Sequence, residues 1–184
     1  MGRLFGTDGV RGKAGQYPLD VPTVRRIGAA LTRALCRDDE GVRILAGLDT
    51  RESGSWIERE LAAGIRSQGG VLTSAGVIPT PAVAYLTPRM GYTAGVVISA
   101  SHNPFEDNGI KVFSGTGEKF TQRLEEQVES IVADPSWNPF EAGHAGPGSA
   151  LAPGFSQAAA EQVDYRSEYI SHLLRILQPD QRHE

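Results

Sequence analysis

The side chains best suited to chemistry in this sequence lie between residues 98 and 111. A hydroxyl, an imidazole and an amide follow one another at Ser101, His102 and Asn103, and an ammonium group follows at Lys111. A serine hydroxyl is a weak nucleophile unless a neighbouring group activates it. The chain has no Gly-x-Ser-x-Gly sequence, which hydrolases use for that purpose. Hydrolase triad chemistry therefore lacks support in this sequence, and the serine needs another activating partner.

The element that positions these groups is a short apolar run. Gly95–Ile98 has the composition of a buried strand, and small polar residues and Pro104 follow it directly. Such a change predicts a sharp turn, and Asp107-Asn108-Gly109 predicts a second, tight turn before the strand Ile110–Phe113. A hydroxyl at the tip of the first turn projects past the sheet, where open α/β sheets bind ligands. An ordinary polar turn is the alternative.

Strand-like runs and helical stripes alternate along the chain. This alternation predicts an α/β fold in which a sheet is covered by helices on both faces, a three-layer α/β/α sandwich. The predicted strands are Arg43–Leu48, Val71–Ala75, Gly95–Ile98 and Ile110–Phe113. The predicted helices are Pro22–Arg37, a segment with the stripe Ile57, Leu61 and Ile65, Pro81–Met90 with a break or distortion at Pro88, and a segment with the stripe Leu124, Val128 and Ile131.

Polar residues at the helix starts predict the caps. Asp20 and Thr121 precede apolar stripes and are expected to accept backbone N–H groups there. Ser53 or Ser55 is expected to cap the helix between the first two predicted strands. The lone Cys36 lies among apolar residues, which predicts a packed side chain.

The sequence changes character after residue 133. Residues 134–160 are rich in proline and glycine without periodicity, which predicts a linker. Apolar residues then return at helical spacing, so 161–184 is expected to contain a helix, whose apolar face includes Leu173, Ile176 and Leu177. We therefore expect one domain at 1–133, a linker at 134–160, and a helix leading into a second, absent domain.

Composition excludes several classes of partner. The 184 residues carry a formal net charge of −4, which argues against a nucleic-acid-binding face. No apolar stretch approaches the roughly 18 residues needed to cross a membrane. A single cysteine cannot form an intramolecular disulfide, which favours a reducing compartment. We expect a cytoplasmic protein that binds neither nucleic acid nor membrane.

Two further groups of residues allow a structural and a functional interpretation. Gly6, Gly9 and Gly12 could let the backbone approach a phosphate, or could simply form turns. Asp49 and Arg51 follow a predicted strand and are expected to pair with each other, bracing the site rather than contacting substrate.

Four blocks together resemble one family. They are Phe5–Gly12, Gly47–Gly54, Gly76–Ala82 and Ile98–Lys111, in that order along the chain. Their sequences resemble the signatures of the α-D-phosphohexomutases, whose active-site serine carries a phosphoryl group. The resemblance implies the first domain of that family, in which the sheet is mixed.

The resemblance also implies roles for individual residues. Ser101 would be the phosphoserine, and its phosphate would be a ligand of Mg²⁺ whose other ligands are absent from this chain. The further catalytic residues implied are Arg11, Lys111 and His102, and the implied phosphate or substrate contacts are Gly9, Asn103 and Asn108. Arg11 and Lys111 would supply positive charge, because phosphoryl transfer depends on positioning and charge neutralisation.

The implied reaction moves phosphate between positions 6 and 1 of a hexose phosphate through a 1,6-bisphosphate. The first block is most similar to the glucosamine-phosphate branch of the family, and mannose or glucose phosphate is the alternative substrate. The catalytic partners would be missing C-terminal domains of the same enzyme, so the chain alone is expected to be inactive. A non-catalytic module that binds a phosphosugar or a partner chain remains a different possibility.

Overall fold

The computed structural model describes residues 3–37, 41–140 and 160–177. Within them, strands and helices alternate, as the apolar pattern predicts, except that β5 follows β4 with no helix between them. The strands are β1 (Val10–Lys13), β2 (Arg43–Leu48), β3 (Val71–Val77), β4 (Ala94–Ile98), β5 (Asp107–Ser114) and β6 (Glu161–Gln162). The helices are α1 (Val21–Leu35), α2 (Ser53–Ser67), α3 (Thr80–Arg89), α4 (Gln122–Ala133) and α5 (Arg166–Leu177).

The strands form one mixed sheet in the order β1-β5-β4-β2-β3-β6. β2 pairs in parallel with β3 and β4, whereas β5 runs antiparallel to both β4 and β1. Because β2 and β4 run in parallel, they end at the same edge of the sheet. The segment that connects β4 to the antiparallel β5 lies at that edge as well. The three-layer sandwich with a mixed sheet is therefore confirmed.

Alternate residues of the strands pack on opposite faces of the sheet. Ile44 and Val96 join the larger core with α1, α2 and α4. Leu45 and Val97 join the smaller core beneath α3. A sheet covered on both faces explains why β2 and β4 are nearly continuous apolar runs.

Helix starts follow the predicted caps with one exception. The Asp20 carboxylate accepts the Thr23 N–H at 3.0 Å, and the Thr121 hydroxyl accepts the Leu124 N–H. The prediction that Ser53 or Ser55 caps α2 is wrong: Glu52 takes the cap position, and it makes no side-chain cap bond. The predicted break at Pro88 is also wrong, because this residue lies in the last turn of α3, which continues to Arg89.

Three other local predictions need correction. Asp107-Asn108-Gly109 is not a tight turn, because these residues begin β5 and pair with β1. Cys36 is exposed just beyond the end of α1 instead of packed in the core. The helix expected after residue 160 is present as α5, but the short strand β6 beside β3 precedes it and was not predicted.

The domain limits remain a prediction, although the described residues add to them. Trp137 is buried in the larger core, four residues beyond the expected domain end at 133. Most of the predicted linker, residues 141–159, and the end of the chain, 178–184, lie outside the described residues. Tyr85 and His172 stack with ring centroids 3.7 Å apart, which holds α5 against α3. Leu173, Ile176 and Leu177 on α5 are exposed.

Glu58 in α2 is a buried carboxyl group, and it predicts a pH effect on stability. Burial raises its pKa, against a smaller lowering effect of the Ser74 hydrogen bond. As pH rises above the unfolded-state pKa, Glu58 loses its proton in the unfolded chain but keeps it in the folded chain. The free energy of unfolding therefore falls until the pH passes the folded-state pKa. Glu58→Gln should remove this loss, so urea titrations should show the variant gaining stability over the parent chain between pH 4 and pH 8.

Glu60 on the same helix is the matched control. It is equally buried, but Arg25 and Arg59 contact its carboxylate at 2.6 and 3.2 Å. Glu60→Gln should lower the free energy of unfolding at pH 8, because two cations lose their partner. A parent-to-Glu58→Gln difference that does not change with pH would contradict the prediction.

Candidate active site

The serine loop, residues 99–106, connects β4 to β5 at the edge where β2 also ends. The Asp49 N–H donates to the Ile98 carbonyl at 3.1 Å, which fixes the residues after β2 beside the start of this loop. A cleft of about 720 Å³ opens there. Its lining includes Asp49, Arg51, Ser101, Asn103 and Phe105. The fold therefore brings the second and fourth sequence blocks to one place.

Ser101 lies at the tip of the loop with an unusual backbone. Its φ is +56°, the left-handed region that side chains other than glycine seldom adopt. Its N–H donates to the Ser99 hydroxyl at 3.0 Å. The Lys111 ammonium donates to the Ser101 hydroxyl oxygen at 2.9 Å. The serine and the lysine predicted to act together are thus in direct contact.

Arg51 connects the end of β2 to the serine loop. Its Nε donates to Asp49 at 3.0 Å, so the pair expected from the sequence is present. Its Nη2 donates to the carbonyls of Ser101 and Asn103, and its Nη1 donates to those of Pro104 and Asp107. The sequence predicted the ion pair but gave no sign of these four backbone contacts.

Arg11 approaches the same loop from β1. Its Nη1 donates to the Asn103 side-chain oxygen at 3.4 Å, and its Nη2 donates to Asp8 at 3.1 Å. The Asn103 amide in turn donates to Asp107 at 3.0 Å. The Nε of Arg11 is buried and has no partner within the described part of the chain. The first sequence block is therefore placed against the loop, with a guanidinium group whose Nη1 and Nη2 each keep a second N–H beyond these contacts.

Asn108 does not have the position of a substrate contact. Its side chain is fully buried and donates to the Ser53 hydroxyl at 2.8 Å. Its side-chain oxygen accepts the Gly109 N–H at 2.8 Å. The role predicted for Asn108 is thus corrected to a structural one, in which it holds the start of β5 against the start of α2.

Gly9 is a turn glycine packed against β5. Its φ is +93°, and a Cβ at this position would lie 2.3 Å from the Ile110 carbonyl oxygen. This geometry favours the turn interpretation over phosphate binding. Its small size lets the N-terminal segment approach the strand that carries Lys111.

Gly9→Ala should therefore destabilise the fold. The left-handed backbone costs a residue with a Cβ about 1 kcal/mol. Displacement of the β5 backbone should add roughly 1–3 kcal/mol. Urea denaturation of Gly15→Ala is the control, because Gly15 has φ +86° but no atom within 4 Å of its Cβ position. Equal losses for the two variants would show that close packing at Gly9 contributes nothing.

His102 and Ser99 complete the loop. His102 is exposed beside Ser101, and its imidazole makes no hydrogen bond within the described residues. Ser99, by contrast, is 8% exposed and orients the Ser101 backbone, a role that the sequence analysis did not assign. A serine two residues before a turn is typical of side-chain-to-backbone turns, and this signal could have identified it.

The described residues contain neither a group of metal-ligating side chains nor a membrane-spanning helix. Among residues 3–37, 41–140 and 160–177, no group of three or more His, Cys, Asp or Glu side chains could hold a metal ion. The family resemblance implies one metal ligand on this chain, the phosphate carried by Ser101. None of the described helices is long and apolar enough to cross a membrane.

Comparisons with known proteins agree with this geometry. The chain is 49% identical to a phosphoglucosamine mutase of Koribacter versatilis, over 89% of the chain and 35% of that relative. It is 43% identical to a phosphoglucosamine mutase of Desulforapulum autotrophicum, over 98% of the chain and 41% of that relative. The chain therefore spans about a third to two fifths of these relatives' length.

The fold is found in a solved structure as well. A phosphoglucomutase/phosphomannomutase family protein of Burkholderia thailandensis superposes with a TM-score of 0.71 at 24% identity, over 94% of this chain and 35% of that one. A family model described as phosphoglucomutase/phosphomannomutase, alpha/beta/alpha domain I, matches residues 2–138. With the sheet order, the serine loop and this match in agreement, the chain belongs to the phosphoglucomutase/phosphomannomutase family, of which it carries domain I.

Proposed function

We propose that the chain is the phosphoserine domain of a phosphoglucosamine mutase, which interconverts glucosamine 6-phosphate and glucosamine 1-phosphate. The observation that carries the proposal is the 2.9 Å contact between the Lys111 ammonium and the Ser101 hydroxyl at the tip of a braced loop. The names of the relatives at 49% and 43% identity support the choice of sugar.

The phosphoryl group moves between Ser101 and the sugar in two transfers. In the first, the bond from phosphorus to the Ser101 oxygen breaks, a bond from phosphorus to the free sugar hydroxyl forms, and the proton of that hydroxyl replaces the phosphoryl group on Ser101. The product is the 1,6-bisphosphate. After the bisphosphate reorients, its other phosphoryl group returns to Ser101, and the isomeric monophosphate leaves.

Lys111 and Arg11 are placed to meet the charge of this reaction. Two phosphate dianions about 5 Å apart repel by roughly 13 kcal/mol at an effective dielectric constant of about 20. Lys111 donates to the oxygen that becomes the leaving group, so it stabilises negative charge as the phosphoryl group departs. Arg11 contacts the loop through Asn103, and its Nη1 and Nη2 each keep a second N–H beyond their contacts with the described residues. His102, exposed next to Ser101, is free to contact a phosphate oxygen.

Members of the family are generally metal-dependent. The residues described do not fit Mg²⁺ by themselves, because they contain no cluster of three or more metal-ligating side chains. We propose that Mg²⁺ binds the Ser101 phosphate together with carboxylates from the part of the relatives' length that this chain does not span. We also propose a cytoplasmic site of action, because charged sugar phosphates do not cross membranes unaided.

The test is a chimaera in which this chain replaces the matching segment of the Koribacter versatilis enzyme. It should convert glucosamine 6-phosphate to glucosamine 1-phosphate. After incubation with glucosamine 1,6-bisphosphate, one phosphoryl group should map to Ser101. A chimaera that neither converts glucosamine 6-phosphate nor takes label on Ser101 would refute the proposal. Binding of sugar phosphate without turnover or label would favour a non-catalytic module.

A further inference from the structure

The guanidinium group of Arg51 has no hydrogen-bond donor left for a substrate. An arginine side chain carries five N–H donors. One goes to Asp49, and four go to the carbonyls of Ser101, Asn103, Pro104 and Asp107. Its side chain is 11% exposed although it borders the cleft. Arg51 therefore differs from Arg11, whose Nη1 and Nη2 each make one hydrogen bond and keep a second N–H beyond the described contacts.

Ser101 is held through both its backbone N–H and its backbone carbonyl. The Ser99 hydroxyl accepts the Ser101 N–H at 3.0 Å, and Arg51 donates to the Ser101 carbonyl at 3.1 Å. The φ of +56° between them is unfavourable for serine in the absence of such restraints. The conformation held in this way directs the hydroxyl to Lys111.

We infer that Arg51 is a positioning residue for phosphoryl transfer at Ser101, acting through the loop backbone and not on the substrate. The inference rests on the proposed function, because it concerns the rate at which Ser101 gives and receives the phosphoryl group. The ion pair with Asp49 orients the guanidinium group and offsets its charge. Arg11 and Lys111 are therefore the cations that contact the phosphates.

Lysine cannot reproduce this arrangement. Its ammonium group has three donors around one atom, whereas the planar guanidinium group spreads five donors over a rigid fork. The four carbonyls come from a stretch of seven residues, 101–107, and one compact cation cannot contact them all. Arg51→Lys therefore keeps the positive charge but cannot make the four hydrogen bonds to the loop carbonyls.

The experiment uses the chimaera that carries this full chain. Arg51→Lys should lower kcat about 100-fold, as expected when a reacting group is displaced by about 1 Å. The KM for glucosamine 6-phosphate should change by less than about threefold, because Arg51 has no donor for the substrate. In Arg51→Ala, added guanidinium ion should restore part of kcat, because it can occupy the vacated position between the carbonyls.

Arg26 provides the matched control. It donates to the backbone carbonyls of Val132, Asp134 and Trp137, which lie at and beyond the end of α4. Arg26→Lys removes a comparable set of backbone contacts away from the serine loop. Its kcat should stay within about threefold of the parent, even where its thermal midpoint falls as far as that of Arg51→Lys.

The outcomes separate this inference from the proposed function. An active parent whose Arg51→Lys variant keeps its kcat, or loses activity through KM, would overturn the inference alone. An equal loss of kcat in Arg26→Lys would overturn it too, because general destabilisation would then explain both variants. A parent without turnover and without label on Ser101 would overturn the proposed function and this inference with it. Hydrogen exchange in the serine loop should be faster in Arg51→Lys than in Arg26→Lys, and equal rates would count against the inference.

Discussion

Ser101→Ala should abolish phosphoryl uptake by the chimaera and lower its turnover by roughly 10⁴-fold or more, the scale seen when a covalent nucleophile is removed. The hydroxyl is exposed at the loop tip, and Lys111 is its hydrogen-bond partner. Neighbouring hydroxyls cannot replace it. Ser99 is 8% exposed and turned to the backbone, and Ser53 accepts a hydrogen bond from the buried Asn108.

The fold should survive this substitution. An exposed hydroxyl contributes little to stability. The left-handed backbone at position 101 is about as unfavourable for alanine as for serine, so the substitution adds no strain. The free energy of unfolding should therefore change by less than about 0.5 kcal/mol. Ser114→Ala, at the other end of β5, should leave label and turnover intact. Mass spectrometry that finds phosphate on any residue other than Ser101 in the parent would refute the assignment.

The sequence predicts the strands that lead to this site because they are buried on both faces. β2 coincides with the expected Arg43–Leu48, and β4 begins one residue earlier than expected, at Ala94. Both are nearly uninterrupted apolar runs, which is the pattern that sequence reveals best. The serine loop then follows from the polar residues after β4.

The segments that the sequence does not predict depend on contacts between distant residues. β1 contains two charged residues and a glycine and has no apolar alternation, and its strand conformation comes from pairing with β5. The same pairing draws Asp107 and Asn108 out of the predicted turn and into β5. Asn108 is polar but fully buried, because Ser53 and the Gly109 N–H satisfy its amide. No local pattern shows that such partners exist.

Within the site, the residue types were predictable, but which atoms they contact was not. The sequence indicates that Asp49 and Arg51 pair, because they are two residues apart after a strand. It does not indicate that the remaining donors of Arg51 hold the serine loop. Every residue has a backbone carbonyl, so the sequence does not show which of them accept a hydrogen bond. The left-handed φ of Ser101 is equally hidden, because serine at a turn predicts no particular φ.

Lys111→Met should lower turnover by about 30- to 1000-fold, which corresponds to the loss of roughly 2–4 kcal/mol of transition-state stabilisation. Methionine keeps the length of the side chain on β5 and removes the ammonium group that lies 2.9 Å from the Ser101 hydroxyl. That group is expected to act most strongly when the Ser101 oxygen acquires charge, so the loss should appear in kcat more than in KM.

The control for Lys111→Met is the same substitution at Lys119, whose ammonium group contacts the Thr7 carbonyl and not Ser101. Both variants lose one positive charge, so a general effect of net charge would lower their rates equally. Steady-state kinetics of the chimaera should show Lys119→Met within about threefold of the parent. A Lys111→Met variant as active as Lys119→Met would show that the contact with Ser101 is structural. The cation assisting the transfer would then have to be Arg11, which contacts the loop through Asn103 and whose Nη1 and Nη2 each keep a second N–H beyond the described contacts.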